Sequence, residues 1–158
     1  MRARQATWIA LLLAVCASVP AWAGGPFQYF ADTPCRVFDT RTVGSQTNGN
    51  PLPGGPSQFF RIQGICGIPN GAAAVTLNLT IVTPSRAGDM RLYPANVTPT
   101  LNDPSTINYD AGEVALANGA IVPLAPVVSA SDKDLQIVIG MQGPGTVHAI
   151  VDVTGYFQ

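Results

Sequence analysis

Three charged side chains stand in otherwise apolar stretches of this 158-residue chain: Asp39 and Arg41 in the run PCRVFDTR, and Asp152 in VHAIVDVTGYF. A charge inside an apolar strand needs a partner before it needs a substrate, because desolvating it alone is expensive. An arginine fork can satisfy a carboxylate through two parallel hydrogen bonds. The expectation is therefore a structural polar cluster of Asp39, Arg41 and Asp152, with Arg41 as the shared partner that ties the first strand to the last. Such a pair fixes register and adds little net stability. A ligand-contacting use of the same three residues stays open.

Familiar catalytic routes lack parts. His148 is the single histidine of the chain, so any nucleophile, base and acid relay would have to be built on it, and no GxSxG elbow precedes a helical segment. A strand histidine bonded to a neighbouring polar group is the simpler reading. One histidine and two oxidised cysteines cannot make a four-ligand zinc site. Asn102, Asp103, Asp110 and Glu113, or Asp132 and Asp134, supply oxygens for calcium but without loop-motif spacing, and read as solvated turns. Glu113 is the sole glutamate, and no pair of carboxyls can be assigned across a cleft as a glycosidase requires. The chain is expected to be no enzyme and to carry no cofactor and no metal. Phe27, Tyr29 and Phe30 are the ligand-contacting candidates. They form either a sugar-stacking platform or an edge strand that packs its rings onto the domain, and packing is preferred. Asn78-Leu79-Thr80 and Asn96-Val97-Thr98 match the glycosylation sequon and read as unmodified in a chain of bacterial appearance.

The N-terminus carries the marks of export. Arg2 and Arg4 precede an apolar run from Trp8 to Val15, and Ala21-Trp22-Ala23 has the small-x-small form of a cleavage site, so residues 1–23 read as a signal peptide and Gly24 as the mature start. The run is too short to span a bilayer, and no membrane span is expected. Cys16 raises a lipoprotein signal as a rival, against which Val15 stands where a small residue is usual. The remaining two cysteines, Cys35 and Cys66, would enter an oxidising compartment, so a disulfide between them is the default. Beyond residue 23, six Lys or Arg face nine Asp or Glu, a net charge of −3. The cations are scattered, which argues against nucleic acid and against a polybasic membrane patch.

These side chains must be held by strands. Gly (16) and Pro (14) punctuate the chain, and no segment keeps helical periodicity for long. Val75, Leu77, Leu79 and Ile81 alternate with Thr76, Asn78 and Thr80, as in a half-buried strand. Val147, Ala149, Val151 and Val153 repeat that pattern near the end. Further candidate strands are Arg36–Thr40, Gln58–Gln63, Asp89–Tyr93, Thr106–Tyr109, Ala120–Leu124 and Leu135–Met141. Gly44–Pro56 reads as a long surface loop, and Asp110–Asn118 as a weak candidate for one helical turn, against which Gly112 and Gly119 weigh. The expectation is an all-β, single-domain β-sandwich or jelly roll of about eight strands over residues 24–158, with a closed β-barrel as the alternative.

The ordered series PCRVFDTR, GICGIPNGAAAVTLNLTIVTP, GDMRLYP, NGAIVPL and VHAIVDVTGYF resembles a bacterial extracellular β domain with a leading D-T-R and a terminal D-V-x-G-Y-F. The resemblance spans nearly all of residues 24–158. It implies a β fold and an extracellular setting, secreted, periplasmic or cell-surface, and assigns no activity and no ligand. The functional expectation is a non-enzymatic module for adhesion, display or assembly whose partner is an extracellular protein or glycan. Carbohydrate binding is the alternative, and an unrecognised hydrolase ranks third.

Overall fold

The computed structural model describes residues 26–100, 102–129 and 131–158; the expected leader, 1–23, lies outside them. Among the described residues nine strands follow one another: β1 (Tyr29–Asp39), β2 (Leu52–Pro53), β3 (Gln58–Phe60), β4 (Ala74–Val82), β5 (Gly88–Pro94), β6 (Ile107–Tyr109), β7 (Ala115–Pro123), β8 (Leu135–Met141) and β9 (Thr146–Phe157). They form two antiparallel sheets. One has the order β1-β9-β4-β7, with β2 also paired to β9, and the other has the order β3-β8-β5-β6. This is an all-β sandwich with open edges and not a closed barrel, because each sheet ends in strands that do not pair with the other.

Alternation decides which face closes the core. Val75, Leu77, Leu79 and Ile81 of β4 and Val147, Ala149, Val151 and Val153 of β9 are all buried, as their period-2 spacing predicts. From the opposite sheet come Leu135, Ile137 and Ile139 of β8, Met90 of β5 and Ile107 and Tyr109 of β6. Phe38 of β1 and Phe60 of β3 stack across the two sheets with centroids 4.3 Å apart.

Several boundaries differ from those expected. β1 begins at Tyr29 rather than Arg36, because bulges at Ala31/Cys35 and Arg36/Phe38 let it stay paired to β9 despite Pro34. The 44–56 stretch is not wholly irregular: β2 continues the β1 edge along β9, and Leu52 is buried. Over 110–118 the backbone makes a turn at Ala111–Gly112 and enters β7, so no helical turn forms there. Cys35 and Cys66 are joined, 31 residues apart in sequence, which fastens β1 to the turn after β3. That turn needs left-handed backbone at Gly64, Cys66 and Gly67 (φ +81°, +54° and +76°), a conformation glycine adopts freely and cysteine does not. A disulfide belongs to an oxidising compartment. Among the described residues no helix is long and apolar enough to cross a membrane.

Candidate functional site

The D-T-R sequence is a turn that locks β1 onto β9. Asp39 is almost wholly buried, and its carboxylate accepts hydrogen bonds from Arg41 Nε (2.9 Å), Arg41 Nη2 (2.6 Å) and the Arg41 backbone N–H (3.0 Å). The Arg41 fork, opposed by burial and helped by the Arg41 N–H and the Arg36 charge, lowers the Asp39 pKa to about 2. Thr40 has no exposed surface. Its N–H donates to the Ala149 carbonyl (3.0 Å), while its Oγ1 accepts the Ala149 N–H (2.9 Å) and lies 2.9 Å from His148 Nδ1. The lone histidine therefore sits on a neighbouring hydroxyl.

The expected partner of Asp152 is corrected. Arg36, not Arg41, meets it, with Nε to Oδ1 at 2.7 Å and Nη2 to Oδ2 at 3.1 Å. Arg36 lies directly opposite Asp152 in the antiparallel ladder, whereas Arg41 follows the end of β1 near His148. Arg36 Nη1 also lies 3.7 Å from Asp39 Oδ2. Asp39, Arg41 and Asp152 are thus brought together through a fourth residue.

The three N-terminal aromatics lie on or beside edge strand β1. Tyr29 tilts against Phe157 and Phe30 stacks on Tyr156, each pair with centroids 5.1 Å apart, so two of the three rings pack while keeping 49% and 41% exposure. Phe27 stands out at 65%. Gly155 makes this packing possible, since a Cβ there would collide with the Tyr29 hydroxyl and the Phe30 carbonyl.

Three of the five acidic groups considered for calcium, Asp103, Asp132 and Asp134, are bound internally. Asp132 accepts the Val128 and Ser129 N–H groups (2.8 and 2.7 Å). Asp134, fully buried, accepts the Ile62 and Gln63 N–H groups (2.8 and 2.7 Å); burial raises its pKa, and these two bonds oppose that. Asp103 accepts the Thr100 N–H and hydroxyl, both at 2.7 Å. Among the described residues no group of three His, Cys, Asp or Glu side chains is placed to hold a metal.

One row was not anticipated. Asp89, Arg91 and Tyr93 occupy alternate positions of β5 on the face away from Met90, which is buried in the core. Arg91 Nη2 lies 3.1 Å from Asp89 Oδ1, yet Asp89 Oδ1, Arg91 Nε and Tyr93 OH are buried without hydrogen-bond partners. Burial first, and the Asp103 carboxylate next, push the Tyr93 phenol pKa up. Gly140 on β8 makes room for the Asp89 carboxylate. The period-2 spacing of Asp, Arg and Tyr in GDMRLYP was the available signal. Tyr93 and Asp103 also line a shallow groove of about 590 Å³ that runs past Thr106 to Asn118 and Ala120 of β7.

No family model, no curated protein and no solved structure matches this chain.

Proposed function

We propose that the chain is an exported, non-enzymatic module that serves adhesion, display or assembly outside the cytoplasm. The observation that carries this reading is the contrast between its charged and its apolar surface. The charged residues of the D-T-R turn are spent on one another, while Val114, Leu116 and Ile121, in or beside one edge strand, are 77%, 38% and 64% exposed. Leu116 lies opposite Ile81 and Ile121 opposite Thr76 of β4, so these apolar side chains fall on both faces of β7 and flank its free edge, where an unprotected strand invites a partner. The disulfide supports an oxidising destination.

Carbohydrate binding is the second reading, favoured by the groove with its Tyr93 ring, the Asp103 carboxylate and the Asn118 amide. A glycan array probed with the domain from Gly24 onward, beside turnover assays on peptidoglycan, common polysaccharides and esters, tests both. Neither glycan retention nor turnover is expected. Glycan retention lost on Tyr93→Ala would favour the second reading, and turnover abolished by Asp39→Asn or Asp152→Asn in a folded protein would overturn both.

A further inference from the structure

The sandwich has four edges, and three of them carry devices that block pairing with another chain. β1 has two bulges, Pro34 and the charged side chains of Asp32 and Arg36; β3 and β6 are three residues each. Bulges, proline, charge and shortness are the usual protections of an exposed strand. β7 has none of these along most of its length. It runs nine residues in unbroken register with β4, with proline only at its last position. The sequence from Val114 to Ser131 contains no charged residue.

The ladder also leaves this edge chemically open. Leu124 donates its N–H to the Ala73 carbonyl, and with Ala74 opposite Pro123 the alternation of an antiparallel pair aims the backbone groups of residues 122, 120, 118 and 116 at β4. Those of Ala115, Ala117, Gly119 and Ile121 therefore point away from it. Among the described residues no backbone hydrogen bond outside the β4 ladder uses residues 115–123.

We infer that β7 pairs antiparallel with β7 of a second copy of this chain, joining two domains through one continuous sheet. The inference rests on the reading of the chain as an assembly module and names its partner. A twofold axis at Gly119 places Leu116 opposite Val122 of the second copy, Ala117 opposite Ile121 and Asn118 opposite Ala120. Every pair is uncharged, so self-pairing meets no like-charge repulsion. Open space surrounds the position of a Gly119 side chain, so the axis is unobstructed. Nine residues make an edge about 30 Å long; with both sheet layers contributing about 20 Å of width, each copy buries about 600 Å², which reaches the lower end of stable interfaces. A concentration-dependent dimer follows.

Sedimentation equilibrium of the domain from Gly24 onward, over a wide concentration range, tests this with three variants. Gly119→Pro removes a donor that β4 does not use, a place where proline is tolerated in an edge strand; Ile121→Lys puts a charge on the edge; Phe27→Lys puts one on the opposite side of the sheet. Because the twofold repeats each change, weakening of at least about tenfold is expected for the first two. Phe27→Lys should leave the dimer intact, and thermal unfolding of the monomers should reveal whether Gly119→Pro has disturbed the fold, in which case Ile121→Lys decides. A monomer at every concentration, or a dimer that survives Ile121→Lys, overturns the self-pairing. Turnover in the assays above would instead remove the module reading on which it rests, so the two failures are distinguishable.

Discussion

The Arg36 guanidinium and the Asp152 carboxylate meet side on across the β1–β9 ladder, Nε to Oδ1 at 2.7 Å and Nη2 to Oδ2 at 3.1 Å. The Arg36 side chain is 53% exposed and that of Asp152 24%, whereas Asp39, the carboxylate of the neighbouring pair, is 8% exposed. Two ion pairs of similar geometry thus stand in different dielectric surroundings, and their removal should have different consequences.

Arg41→Ala is expected to destabilise the domain by about 2–3 kcal/mol, because it leaves Asp39 buried with one backbone N–H and the more distant Arg36. Arg36→Ala should cost less than about 1 kcal/mol, since Asp152 keeps access to water. Urea denaturation of both variants at pH 7 measures the order. Equal losses would show that Asp39 is better solvated than its burial indicates.

Acid should unfold the domain partly through Asp39. Its folded pKa of about 2 lies below the ordinary 3.8, so the stability it contributes is complete above about pH 4 and is lost as pH falls through about 2. With one partner half in solvent, the contribution is about 1–2 kcal/mol. The difference in stability between wild type and Asp39→Asn, followed from pH 6 to pH 2, should shrink over that window. A constant difference would mean that Asp39 titrates alike in both states.

Reduction of Cys35–Cys66, which spans 31 residues, should lower stability by about 3–4 kcal/mol in the chain-entropy model. Denaturation with and without reductant gives the value, and a thiol assay on the folded protein should find neither Cys35 nor Cys66 free. A titratable thiol would contradict the pairing.

Asp134→Ala should be among the most damaging single changes, at about 3 kcal/mol, because it strands the Ile62 and Gln63 N–H groups in the core. Asp134→Asn keeps one acceptor and should lose less. Hydrogen exchange at Ile62 and Gln63 would report the change directly: both amides should be protected in wild type and exchange faster in the alanine variant.

Strand identity was legible in the residues because it is local. Alternation at 75–81 and 147–153 marks a buried face whichever strand lies beside it, and the two cysteines left beyond residue 23 leave a single pairing. The polar partners were not legible in the same way. Nothing in RVFDTR tells Arg36 from Arg41 as the partner of Asp152; the antiparallel register, set by packing of the buried faces and shifted by a bulge after Arg36, decides it. Asp134 looked like a solvated turn because its neighbours are polar, and only the return of the chain beneath Ile62 and Gln63 makes it a core acceptor. The openness of β7 is likewise a property of sheet order. Only its end from Ala120 read as a strand, with 110–118 read as a weak helical turn, and it is an edge because β4 took β9 as its other neighbour, a choice made by contacts distant in sequence.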